Sequence, residues 1–159
     1  MKIIATNKQE TEKAGAKLAA SLKGGDVVCL QGELGAGKTT LVKGLARGLG
    51  VKNEITSPTF ALMNIYPVKS RKAGISAKPK LFNRVNKNIK TFIHIDTYRL
   101  KNEQELIDIG VEDYLGAPDT ICAIEWPEKI EGLLKKKKIV RVTIEHAGEK
   151  RKIGVKRQQ

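Results

Sequence analysis

No stretch of this 159-residue chain approaches the length of a membrane span, and its amino end offers only the short apolar run of Ile3, Ile4 and Ala5, too brief for a secretory signal. The chain is therefore expected in the cytoplasm, away from membranes. Cysteine is scarce. Cys29 and Cys122 both sit in apolar, strand-like runs, with no Cys-x-x-Cys and no histidine at ligand spacing, which points to reduced core thiols. Aromatics are few, seven in all, and none forms a ribonucleoprotein-type strand motif. Acid is the minority charge, with 17 Asp and Glu against 30 Lys and Arg, a net charge of +13. Eight basic residues and no acidic one lie in 67–90 (Lys69, Arg71, Lys72, Lys78, Lys80, Arg84, Lys87 and Lys90), and a second concentration lies in Lys135 to Lys138 and Lys150 to Arg157. Such a surface suits a polyanion, RNA foremost, or equally a solvated face that keeps the protein dispersed.

What the chain does have is a full match to G-x-x-x-x-G-K-[ST], the Walker A phosphate-binding loop, in Gly32-Glu33-Leu34-Gly35-Ala36-Gly37-Lys38-Thr39. The run before it, Asp26 to Gln31, is short, apolar and β-rich and reads as a buried parallel strand. The run after it places Leu41, Val42, Leu45 and Leu49 on one helical face and stops at Gly50, a C-cap. In that order, glycines at 32, 35 and 37 let backbone N–H groups turn toward a phosphate chain that a Cβ would obstruct, and the helix N-terminus adds partial positive charge. Lys38 is then expected to reach the β- and γ-phosphates of ATP, and the Thr39 hydroxyl to hold Mg²⁺.

Before the loop, Asn7 and Glu10 form a capping-box pattern for a helix with Ala14, Leu18 and Leu22 on one face, closing at Gly24-Gly25. After the Walker helix, 51–58 reads as a loop and Phe60 to Tyr66 as a strand. The hydroxyls of the Thr56-Ser57-Pro58-Thr59 cluster are candidates for sensing a γ-phosphate, or are ordinary turn chemistry. The basic stretch 67–90 contains Pro67, Gly74 and Pro79 and reads as an inserted loop or hairpin extension. Thr91 to Asp96 and Thr120 to Glu125 are two apolar strands that each end in a carboxylate. Parallel strands in nucleotide-binding sheets aim their carboxyl ends at the ligand, so Asp96 and Glu125 are expected to meet beside the Walker loop. One would help hold Mg²⁺, directly or through water, while the other orients or deprotonates an attacking water.

His94, between apolar neighbours, reads as a packed structural histidine, and Trp126 as a cover over the site or a seal on the core edge. Asn102 with Glu105 repeats the capping pattern for a short helix ending at Gly110. Near the end, 139–145 alternates with period two, Ala147-Gly148 turns, and Lys150 to Val155 returns as the second strand of a hairpin. The fold class is α/β, a P-loop NTPase-like three-layer fold with a mixed, mainly parallel central sheet and a C-terminal antiparallel hairpin. One domain spans 1–159, with the basic insertion at about 67–90.

Four motifs in this order resemble the TsaE family, small ATPases required in bacteria for making threonylcarbamoyladenosine in tRNA: the Walker loop through Thr40, Ser57-Pro58-Thr59-Phe60, His94-Ile95-Asp96-Thr97-Tyr98-Arg99-Leu100, and Ile124-Glu125-Trp126-Pro127-Glu128. The resemblance covers nearly the whole chain. It implies Thr39 and Glu125 as Mg²⁺ contacts, Asp96 in the catalytic shell, Gly35, Ala36, Gly37, Lys38, Thr39 and Thr40 around the phosphates, Thr11 near the adenine, and Arg151 approaching the nucleotide from the closing hairpin. It also implies partners, the threonylcarbamoyl transferase TsaD and its companion TsaB, which the ATPase resets between turnovers. The chain departs from the family in its long basic segment at 67–90, which reads as an added RNA or partner contact or as a lineage-specific disordered insert, and in its heavier basic C-terminus.

Two other readings compete. A P-loop small-molecule kinase would need an acceptor pocket and a lid with arginines, and 67–90 lacks helical lid patterning. An RNA-binding module with a vestigial nucleotide site would have to work with few aromatics. A GTP switch is disfavoured, since the nearest text to Asn-Lys-x-Asp is Asn86-Lys87-Asn88-Ile89. No arginine finger lies within the motifs, so hydrolysis by the chain alone is expected to be slow.

Overall fold

The computed structural model describes residues 1–69 and 88–158, so the centre of the basic insertion lies outside the described residues. Seven strands are present: β1 (Lys2–Ala5), β2 (Asp26–Gln31), β3 (Met63–Pro67), β4 (Thr91–Asp96), β5 (Thr120–Glu125), β6 (Lys138–Ala147) and β7 (Lys150–Arg157). They form one sheet in the order β1-β7-β6-β2-β5-β4-β3. The central strands β6, β2, β5 and β4 run parallel; β7 and β1 add antiparallel on one side and β3 on the other. The helices are α1 (Lys8–Ala19), α2 (Lys38–Leu49), α3 (Gln104–Asp108) and α4 (Glu131–Leu134).

Alternation along each central strand gives the sheet two buried faces. Val28, Leu30, Phe92, Ile121, Ala123 and Val142 pack with Leu18, Leu41 and Leu45 of α1 and α2. Val27, Cys29, Ile93, Ile95, Cys122 and Ile124 pack with Leu106, Val111, Leu115 and Ile130 on the other side. Helices α1 and α2 meet backbone to backbone. A Cβ on Gly15 would lie 2.1 Å from the Leu41 carbonyl oxygen, and one on Gly44 1.9 Å from that of Glu12. Glycine costs about 1 kcal/mol inside a helix, and here that cost permits the approach that anchors α2 behind the phosphate loop.

Three local expectations shift, and one strand, β1, comes without a sequence signal. The edge strand β1 has no alternating pattern of its own and exists by pairing with β7, Ile3 opposite Ile153. Helix α1 ends at Ala19, where Ser21 and Leu22 N–H groups bond back three residues to Leu18 and Ala19 and tighten the last turn before the glycines. Asn7 caps the Glu10 N–H at 2.9 Å, but the Glu10 carboxylate returns to the Thr6 N–H and hydroxyl, one residue early. Strand β3 begins at Met63 because Leu62 takes φ 62°, and the preceding turn leaves Phe60 85% exposed. At the described base of the insertion, one residue beyond the β3–β4 pairing, the Val68 N–H donates to the Lys90 carbonyl at 2.8 Å. Among the described residues no helix is long and apolar enough to cross a membrane.

Candidate active site

The loop between β2 and α2 is shaped by glycines with different tasks. Gly35 (φ 76°) and Gly37 (φ 103°) take left-handed conformations, and a Cβ at Gly35 would meet no protein atom within 4 Å. Their requirement is conformational, and the space in front of Gly35 is open. Gly32 departs from the expectation: a Cβ there would strike the Ile144 carbonyl oxygen at 2.5 Å, so its task is close packing against β6. Lys38, 5% exposed, opens α2 and donates through Nζ to the carbonyls of Gly32 (2.7 Å) and Glu33 (2.9 Å), with the Trp126 ring centre 3.9 Å away. Burial pushes its ammonium below the usual lysine value, and Glu125, Asp96 and Glu128 act in the opposite sense.

Two other candidates border the loop. Arg151 donates through Nε to the Ala36 carbonyl at 3.2 Å, while Lys152 turns to Glu145 at 3.8 Å, so Arg151 is the hairpin residue that reaches it. Thr11 is buried behind the loop, its methyl 3.8 Å from where a Cβ of Gly37 would stand and its hydroxyl donating to the Asn7 carbonyl.

Asp96 and Glu125 end adjacent parallel strands as register partners, on the sheet face toward α2. Both are buried. The Thr39 hydroxyl donates to Glu125 Oε1 at 2.8 Å, and His94 Nε2 meets the same oxygen at 2.9 Å. Asp96 faces the loop before β3: its Oδ2 accepts from the Ser57 (2.9 Å) and Thr59 (2.8 Å) hydroxyls, and its Oδ1 from the Tyr98 N–H (3.0 Å). The hydroxyl cluster is therefore held by one of the two strand-end carboxylates. Trp126 sits at φ 62°, a costly conformation for a non-glycine residue, and Thr97 holds it there by donating to the carbonyls of Glu125 and Trp126.

These groups line a cleft of about 420 Å³ with Gly35, Gly37, Lys38, Thr39, Thr40, Ser57, Thr59, Asp96, Tyr98, Arg99, Glu125 and Trp126 on its walls. Two of its features escape the motif reading. His94, fully buried as expected of a packed histidine, is also bonded to Glu125; the signal is its two-residue offset from Asp96, which puts both on one strand face. Arg99 reaches the cleft with its guanidinium carbon 4.5 Å from the Phe60 ring centre. As a magnesium site the donor set fits: hydroxyl and carboxylate oxygens at the end of the phosphate loop, facing open space. Among the described residues no cluster of three or more His, Cys, Asp or Glu could hold a metal ion by itself.

The family model for the threonylcarbamoyl adenosine biosynthesis protein TsaE matches residues 5–153. The chain is 36% identical over 130 residues to the tRNA threonylcarbamoyladenosine biosynthesis protein TsaE of Treponema pallidum, covering 82% of this chain and 81% of that protein. It is 34% identical to the Bacillus subtilis protein of the same name over 143 residues (90% and 76% of the two chains) and 40% identical to that of Synechocystis over 126 residues (77% and 68%). The crystal structure of Bacillus subtilis YdiB superposes with a TM-score of 0.69 at 29% identity, covering 98% of this chain and 83% of that one. With the family model spanning nearly the whole chain, and relatives this similar across most of it, the chain belongs to the TsaE family.

Proposed function

We propose that the chain binds ATP with Mg²⁺ in this cleft and hydrolyses it in the cytoplasm in support of tRNA threonylcarbamoyladenosine synthesis, with TsaD- and TsaB-type proteins as partners. The observation that carries the reading is the 2.8 Å bond from Thr39, at the start of α2, to Glu125, at the end of β5. It brings a buried carboxylate to the point where a phosphate loop presents its metal-binding hydroxyl.

Bound Mg²⁺ would supply charge neutralisation on the β- and γ-phosphates, held by Thr39 and Glu125, with Asp96 directly or through water. The chain's own groups do the rest. Backbone N–H groups from Gly35 to Thr40 grip the phosphate chain, helped by the α2 N-terminus and bordered by Arg151. Lys38 exchanges two carbonyl contacts for phosphate oxygens, gaining direct contact with an anion. Glu125 or Asp96 orients water in line or accepts its proton. Thr11, buried behind the loop at Gly37, is assigned to the adenine side of the nucleotide.

The rim supports a partner. Leu34, Phe60 and Tyr98 are exposed around the cleft mouth, an apolar edge suited to a protein that closes over the nucleotide. A tRNA contact through the basic segments accompanies the proposal; each phosphate neutralised would steepen the salt dependence of tRNA binding by about 0.7–0.9.

The test is ATP hydrolysis by the purified protein, alone and with TsaD and TsaB, beside Lys38→Ala and Glu125→Ala. Slow turnover that the partners stimulate and both substitutions abolish is expected. Hydrolysis indifferent to the partners, or surviving loss of Glu125, would favour the kinase or RNA-binding reading.

A further inference from the structure

His94 is a buried titratable side chain beside the cleft to which the proposed function gives no task. His94 has no exposed surface, and its two ring nitrogens point to opposite parts of the site: Nδ1 lies 3.2 Å from the Thr56 carbonyl oxygen and Nε2 lies 2.9 Å from Glu125 Oε1. We propose that His94 is a positioning residue that couples loop 55–59 to Glu125, so that the hydroxyl-bearing loop and the carboxylate beside the phosphate loop move as one unit.

Side chains two apart on a strand share a face, and β4 uses that face twice against the same loop. Asp96 takes the Ser57 and Thr59 hydroxyls; His94 takes the Thr56 carbonyl. Of the two, His94 also contacts Glu125 through its side chain. A carbonyl oxygen can only accept, so Nδ1 carries hydrogen and the ring's orientation is fixed from the loop side. Nε2 faces the same carboxylate oxygen that takes the Thr39 hydroxyl, and it bonds that oxygen as a donor, with a hydrogen on Nε2 as well. The series Thr56, His94, Glu125, Thr39 therefore runs from the backbone carbonyl of an exposed loop residue, through the buried His94 and Glu125 side chains, to the half-buried Thr39 at the start of α2. In such a site an unpaired polar group is costly, so neither end can shift without releasing the other. Sensing by the loop and placement of Glu125 thereby become one event.

The functional consequence rests on the ATPase reading; the coupling itself does not, and its test begins without nucleotide or metal. Backbone hydrogen exchange across 55–60 is compared by mass spectrometry in the wild-type protein, His94→Asn and His94→Gln. Asparagine places its amide near the Nδ1 position but falls short of Glu125, whereas glutamine reaches toward Glu125 and loses the loop. His94→Gln is expected to speed exchange in 55–59 about tenfold, as loss of a buried hydrogen bond would. His94→Asn should speed loop exchange less, about threefold, because it keeps the loop bond and loses only the Glu125 contact, and should lower kcat for ATP at least tenfold, with KM nearly unchanged. Unchanged loop exchange in His94→Gln, or wild-type turnover in His94→Asn, would overturn the proposal, as would identical effects of the two.

Should the histidine variants fail to fold, Glu125→Gln carries the test. It keeps the shape of the carboxylate, so faster exchange in 55–59 without nucleotide supports the coupling and unchanged exchange refutes it. A wild-type protein that turns over no ATP would refute the proposed function, while the exchange comparison would still decide the coupling.

Discussion

Asp26 and Glu125 are both buried carboxylates on neighbouring central strands, at opposite ends of the sheet, and their partners differ in kind. Asp26, at the amino end of β2, takes both arms of the Arg157 guanidinium at 2.8 and 3.0 Å and the Lys23 N–H at 2.8 Å. Its charge is matched by a bidentate cation inside the chain, and the arrangement ties the last strand to the sheet. Glu125, at the carboxyl end of β5, is held by a hydroxyl and an imidazole beside an open cleft. Asp96 is held by two hydroxyls and one backbone N–H. A buried carboxylate neutralised by arginine is structural. On the proposed function, one held in place by hydroxyls at the edge of a phosphate loop would meet a cation that comes with the ligand.

The contrast breaks most sharply at Glu125. Replacing it with glutamine keeps the shape and removes the charge, and kcat for ATP should fall about 10²- to 10³-fold while the melting temperature changes little. Asp26→Asn should do the reverse. It leaves Arg157 half-satisfied and is expected to cost about 2 kcal/mol of stability, discounted because the Arg157 side chain is 45% exposed. Urea unfolding reads that loss, and ATP affinity should stay as in the wild type. Ser57→Ala with Thr59→Ala removes both hydroxyls from Asp96 Oδ2; turnover should fall about tenfold, against a smaller change in stability.

The smallest effect concerns thiols packed between the two ends. Burial pushes Cys29 and Cys122 up to about 12. An acid raised in the folded state keeps its proton after the unfolded chain has lost it, so stability should decline from about pH 9 and go on falling toward pH 12. Unfolding midpoints across that range, compared with Cys29→Ala and Cys122→Ala, measure it, and at pH 7 both thiols should resist alkylation.

The carboxyl end was the more legible end. Strands β2, β4 and β5 begin and end where their apolar runs do, because each is buried on both faces and its sequence records that burial without interruption. The Walker helix likewise starts at Lys38 and stops at Gly50, whose φ of 98° only glycine adopts readily. What stayed hidden depends on contacts far apart in sequence. Edge strand β1 owes its existence to a partner about 150 residues away, and Gly15 and Gly44 look like poor helix residues until α1 and α2 are seen to touch. The bond from His94 to Glu125 was hidden for a further reason: a histidine between apolar neighbours looks the same whether it fills space or holds a carboxylate.

The most direct test of the account is ATP binding to the protein with and without Mg²⁺, followed through the fluorescence of Trp126, which lines the cleft. The account predicts binding that Mg²⁺ strengthens in the wild type and in Asp26→Asn, with that strengthening lost in Glu125→Gln. An affinity indifferent to Mg²⁺, or a Mg²⁺ effect that survives the loss of the Glu125 charge, would contradict it.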